Sequence, residues 1–172
     1  IALEMGGKCP FIVLVDAVIN DDLVEHTANS AFWNAGQNCS ANMRQIVAKT
    51  LVEEFTQAVV KRVSEYKVGD PLSLSTDLGS MISESHFRRV ADYIETGLRE
   101  GAVPIPTGQP EVTGNFINPT IYTNVNRNMT IAKDEIFGPV LGIMSVDGID
   151  EALSIAKDTE YGLHATLFTQ DI

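Results

Sequence analysis

The chain has 172 residues, 44% hydrophobic and 20% charged, with 13 Gly and 7 Pro. That composition excludes a disordered, collagenous or membrane-spanning protein. Twelve Lys and Arg against 23 Asp and Glu leave a net charge of −11, which repels nucleic-acid phosphates and anionic lipid and sets both aside as partners.

At this size roughly 70% of the unfolded surface leaves water on folding, so neither disulfides nor a metal are required to hold a core. Cys9 and Cys39 are the only cysteines. They lack CxxC spacing, which points to free thiols in a reducing compartment, the cytoplasm. His26, His86 and His164 are scattered, so no metal is expected. The chain opens Ile1-Ala2-Leu3-Glu4 with no Met, carries no export signal and holds no apolar run of ~18 residues. It reads as a segment of a longer protein.

In chain order, the β-branched apolar run 11–15 predicts a strand buried on both faces. Asp21 and Asp22 then supply acids to the start of a helix whose stripe is Val24, Ala28, Ala31 and Ala35, ending at Gly36. Residues 45–48 predict a strand. Thr50 and Glu53 form a T-x-x-E capping box for a helix carrying Val52, Phe55, Val59, Val63 and Tyr66. Residues 69–80 hold Gly, Pro, Asp and hydroxyl side chains and predict a surface loop. Ser83 caps a third helix with Phe87, Val90, Ile94 and Leu98 on one face, stopped by Gly101. Two short strands follow, the second near Ile121, with a loop at 108–114 between them. Then come a strand at 140–146, a helix capped by Asp147 and running to Lys157, and a strand at 165–168. Strands alternating with helices predict a three-layer α/β fold, an open twisted and largely parallel sheet with helices on both faces.

Three places carry candidate chemistry. Cys39 lies in Gly36-Gln37-Asn38-Cys39-Ser40, just past a helix end, where a rigid scaffold presents reactive groups; the competing reading is a small buried hydrophobe. Cys9, between Lys8 and Pro10, is read as packed. Glu4 stands between Leu3 and Met5 before Gly6-Gly7. A partly desolvated carboxylate there is a general base, and an exposed one is only a charged strand end. The spacing of a phosphate loop is absent from Gly6-Gly7-Lys8. Lys133-Asp134-Glu135-Ile136-Phe137-Gly138-Pro139 is either a solvated loop or a carboxylate for ligand hydroxyls beside an aromatic for a planar ring.

Together these residues resemble the aldehyde dehydrogenase superfamily. Leu3-Glu4-Met5-Gly6-Gly7-Lys8 is similar to its glutamate signature, Gly36-Gln37-Asn38-Cys39 with Arg44 to its cysteine signature, Glu135-Ile136-Phe137-Gly138-Pro139-Val140 to its E-I-F-G-P-V block, and Tyr161-Gly162-Leu163 to its later Y-G-L. The motifs occur in the family's order, and the resemblance covers essentially the whole chain.

The resemblance implies oxidation of an aldehyde to a carboxylic acid. Cys39 attacks the carbonyl, the thiohemiacetal gives a hydride to NAD or NADP, and Glu4 activates the water that hydrolyses the thioester. It also implies that the backbone N–H of Cys39 contributes to an oxyanion hole, that Glu135 holds the nicotinamide ribose, that Phe137 packs beside the nicotinamide, and that Gly6 belongs to the cofactor site. By the same resemblance residues 1–172 form the catalytic domain. The N-terminal cofactor domain and the C-terminal oligomerisation segment of a homodimer or homotetramer then lie outside the chain. No G-x-G-x-x-G turn is present, so the chain by itself is expected to bind NAD weakly and to be nearly inactive. A cofactor-independent thiol esterase and a non-catalytic module are the alternatives.

Overall fold

A computed structural model describes residues 1–108 and 113–171. Their strands and helices run β1 (Pro10–Val13), α1 (Asp21–Phe32), β2 (Arg44–Ala48), α2 (Val52–Ser64), α3 (Glu84–Arg99), β3 (Val103–Ile105), β4 (Thr120–Thr123), the single turn α4 (Thr130–Lys133), β5 (Val140–Val146), α5 (Ile149–Lys157) and β6 (Thr166–Phe168). The strands make one sheet in the order β3-β4-β5-β2-β1-β6. From β4 to β6 every pairing is parallel, and β3 joins β4 antiparallel.

The alternation of strand side chains builds two cores. Phe11, Val13, Val47, Ile121, Leu141 and Ile143 point to a face covered by α1 and α2, while Ile12, Ile46, Tyr122, Met144 and Val146 point to a face that also buries Val90 of α3 and Ala152 and Ile155 of α5. Both faces are dry, which is why the strands read as near-continuous apolar runs. The three-layer α/β architecture expected from the sequence is the one observed.

Local departures have local causes. The first helix stops at Phe32, not Gly36, and its buried stripe is Leu23, Thr27, Ala28, Ala31 and Phe32, with Asn20 Oδ1 accepting from the Leu23 N–H at 2.9 Å as the cap. Residues Trp33–Gly36 form a 3-10 turn in which Asn34, Ala35 and Gly36 all have φ between 53° and 71°, a left-handed run that no α-helix accommodates. The Thr50 capping box does not form. Leu51, whose hydrocarbon side chain cannot cap, occupies the cap position of α2, and its N–H donates to the Ala48 carbonyl at 2.8 Å. Asp147 sits one residue before the cap position of α5, which Gly148 fills, and its N–H donates to Glu151 Oε2 at 2.8 Å. Ser83 does cap α3, accepting from the His86 N–H at 3.2 Å. Leu98, placed on the buried face of α3 by its spacing, is 48% exposed. The predicted 108–114 loop falls partly on 109–112, outside the described residues.

Arg44, met in the sequence only as a motif residue, is buried. Its Nη1 and Nη2 donate to the carbonyls of Ile155 and Ala156 at 3.0 and 2.9 Å. A cation thereby closes the C-terminal end of α5, where unsatisfied carbonyls and the helix dipole favour positive charge.

Candidate active site

Parallel topology gathers what the sequence scatters. Gly6 and Gly7 precede β1, Cys39 precedes β2, residues 135–139 precede β5, and residues 161–164 precede β6. These four strands are neighbours in the order β5-β2-β1-β6, so the four motifs meet at the amino ends of adjacent strands. Open α/β sheets usually bind ligands at the opposite, carboxyl ends.

Gly7 is the pivot. Its N–H donates to Glu135 Oε1 at 2.9 Å, and a Cβ at this position would stand 2.2 Å from the Cys39 carbonyl oxygen. Gly6 is pressed between Tyr161 and Glu135 in the same way, its hypothetical Cβ 2.8 Å from the tyrosine ring and 3.1 Å from Glu135 Oε2. The Cys39 carbonyl also accepts from the Cys9 thiol at 3.5 Å. One turn earlier, a Cβ on Gly36 would lie 2.5 Å from the Gly138 carbonyl oxygen, so the cysteine loop and the 135–139 segment touch through backbone.

Cys39 itself is half-buried. Asn38 Oδ1 accepts from its thiol at 3.9 Å and from the Ser40 N–H and hydroxyl at 3.3 and 3.2 Å, which tightens the loop around the sulfur. Gln37, met in the sequence only as a motif residue, spans to a distant segment: its Nε2 donates to the Ser80 carbonyl at 3.3 Å and its Oε1 accepts from the Ile82 N–H at 2.9 Å. Glu4 is exposed, as are all of residues 1–6, since burial begins only at Gly7, on the approach to β1. The partly desolvated acid expected there is not observed in this chain.

Glu135 keeps acceptor capacity beyond its bond to Gly7, because a carboxylate takes about four hydrogen bonds. Phe137 is half-buried and lines a cavity of about 710 Å³ with Trp33, Asn34, Gln37, Met81 and Ile82. Glu135 does not line that cavity: its carboxylate lies against Gly6 and Gly7, two residues along the chain from the Phe137 wall.

The two thiols differ. Cys9 is 2% exposed and burial pushes its pKa up, which suppresses the thiolate, whereas Cys39 is accessible. Brief treatment with iodoacetamide should label Cys39 at least about tenfold faster than Cys9, read by peptide mapping. Equal labelling would remove the distinction.

Lys8, met in the sequence only within the glutamate signature, is 4% exposed. Burial, with Arg44 nearby, lowers its pKa from 10.5 to about 7, against the pull of Asp134 and Glu135. Between pH 7 and about 9 the unfolded chain holds the Lys8 proton and the folded chain has lost it. The unfolded state binds more protons, so stability should rise with pH across this window by roughly 2 kcal/mol, and the gain disappears below pH 7 as the folded amine protonates. Urea midpoints of the native chain should show this rise, and Lys8→Met should flatten it.

The comparisons with known proteins agree with this geometry. The aldehyde dehydrogenase family matches residues 1–172. Betaine aldehyde dehydrogenase of Brucella anthropi is 40% identical over 177 residues, covering 100% of this chain and 36% of that protein. The crystal structure of NAD-dependent aldehyde dehydrogenase from Sinorhizobium meliloti superposes with a TM-score of 0.92 at 34% identity, over 97% of this chain and 33% of that one. The NAD+ complex of aldehyde dehydrogenase from Bacillus cereus gives a TM-score of 0.91 at 36% identity, over 97% and 34%. The chain thus spans about a third of the length of these proteins. With the whole of its sequence matched and the motif segments packed on one another at one end of the sheet, the chain belongs to the aldehyde dehydrogenase family.

Proposed function

We propose that the protein carrying this chain oxidises an aldehyde to a carboxylic acid with NAD or NADP, and that residues 1–172 are its catalytic domain. The observation that carries this reading is the double role of Gly7, whose N–H meets the Glu135 carboxylate while its Cα lies under the Cys39 carbonyl. The cysteine, the carboxylate and the glutamate signature are therefore mechanically one unit.

In this reading the Cys39 thiolate attacks the aldehyde carbon, and the carbonyl oxygen takes up negative charge near the Cys39 backbone N–H. Glu135 holds the ribose hydroxyls and Phe137 flanks the nicotinamide, with Gly6 leaving room for the carboxylate beside it. A bound nicotinamide supplies the hydride acceptor. The acyl group left on Cys39 sulfur is released by water that Glu4 deprotonates. Glu4 stands three residues before Gly7 on an exposed stretch. Two free thiols suit a reducing compartment and hence the cytoplasm, and a homodimer or homotetramer is the assembly the family implies. Among the described residues no helix is long and apolar enough to cross a membrane.

Glu4→Gln in the whole protein tests the deacylation step. The amide still hydrogen-bonds water and cannot accept its proton, so a burst of NADH should be followed by steady turnover reduced about a hundredfold or more. Unchanged steady turnover would assign the base elsewhere.

A further inference from the structure

We propose that one face of α3 is a template for the 134–138 segment, and that through it His86, Arg89 and Tyr93 act as positioning residues that set cofactor affinity. The second half rests on the roles assigned above to Glu135 and Phe137. The three residues are spaced by three and four, so they lie on one side of the helix. His86 Nε2 donates to the Phe137 carbonyl at 2.6 Å, Arg89 Nη2 to the Glu135 carbonyl at 3.1 Å, and the Tyr93 hydroxyl to Asp134 Oδ2 at 3.0 Å. Stepping forward along α3 steps backward along the segment, as in a zipper.

Packing follows the same line. Val90, on that face, occupies the space at Gly138, where a Cβ would be 2.6 Å from Val90 Cγ1. The His86 and Phe137 rings meet edge to face at 6.1 Å, and the Arg89 guanidinium stands 5.8 Å over the Tyr93 ring.

The segment needs such a hold. Phe137 has φ of 60°, a left-handed conformation that a bulky residue keeps only when its surroundings impose it. That backbone aims both the Glu135 carboxylate and the Phe137 ring. Without the helix contacts Phe137 relaxes to negative φ and the ring leaves the cavity wall. The α3 side chains act through backbone and touch no reacting atom.

Amide hydrogen exchange on the chain, which needs no cofactor, reads the template directly. Arg89→Met combined with Tyr93→Phe, and separately His86→Leu, should speed exchange across 134–138 by about tenfold or more while β2 amides stay protected. Arg89→Lys and His86→Gln, which keep a donor, should restore most of the protection, and Arg88→Ala, whose side chain pairs with Glu84, should leave it unchanged. Tyr93→Phe alone deletes one oxygen and carries the test if the larger changes do not fold. In the whole protein the same variants should raise KM for NAD(P)+ roughly fivefold or more with kcat within about twofold. Unchanged exchange overturns the template. Faster exchange with unchanged KM overturns the cofactor half of the proposal while the template stands, and the roles of Glu135 and Phe137 are read separately, from KM for NAD(P)+ in Glu135→Gln.

Discussion

Cys39→Ala in the whole protein should lower aldehyde-dependent NADH formation by about four orders of magnitude or more, because the proposed mechanism forms its acyl intermediate on the Cys39 sulfur. The loss should be chemical, not structural. Cys39 is half-buried in a loop whose tight hydrogen bonds run through Asn38 and Ser40, so removal of the thiol should change unfolding free energy by less than about 1 kcal/mol. Mass spectrometry of the native enzyme quenched during turnover should find the acyl adduct on the peptide containing Cys39. A Cys39→Ala variant retaining about a tenth of the activity would place the nucleophile elsewhere.

Gly7→Ala should be damaging in a different way, losing stability and activity together. The added methyl carbon meets the Cys39 carbonyl oxygen at 2.2 Å, with Cys9 Sγ at 3.1 Å and Leu163 Cδ2 at 3.2 Å beside it. A carbonyl fixed in backbone cannot turn aside as a flexible side-chain tip does. Overpacking of this kind costs about 1 to 3 kcal/mol, and displacing the cysteine loop by ~1 Å costs on the order of a hundredfold in rate. Because the N–H of Gly7 also binds Glu135, KM for the cofactor should rise as well. Gly69→Ala is the matched comparison: a Cβ there meets only Thr76 Oγ1, at an ordinary 3.5 Å, and its effect should stay within about 0.5 kcal/mol. Thermal unfolding and steady-state kinetics of the two variants decide the matter.

Much of the layered fold was legible because both sheet faces are dry. Runs such as 11–13 and 140–144 are apolar on alternate faces of the sheet, and the helix stripes at Phe55, Val59 and Val63 are what packing against such a sheet demands. Helix ends were less legible, since Thr50 and Asp147 have cap chemistry while the cap positions fall one residue later, at Leu51 and Gly148. The turn α4 was missed because its fourth-residue periodicity is too short to register. It is held from outside by Glu100, which accepts from the Thr130 N–H and hydroxyl at 2.7 and 2.5 Å.

The candidate site was legible as motifs and illegible as a place. Nothing in the spacing of Gly7, Cys39 and Glu135 says that they touch; that follows from strand order. The burial of Lys8 was hidden by its charge, and the reach of Gln37 to Ile82, 45 residues away, has no local signature. His86 and Arg89 read as ordinary surface residues of an amphipathic helix, because their partners lie 51 and 46 residues further on.

Strand order also governs when the site comes into being. β1, near the start of the chain, pairs with β6, near its end, with Phe11 opposite Thr166 and Val13 opposite Phe168. A growing polypeptide therefore carries Cys39 for more than a hundred residues of synthesis before its sheet has the last neighbour. Loop closure over such separations is slow and rewarded late. During that interval the cysteine sits on an unfinished sheet, before β1 has gained the parallel partner that β6 supplies.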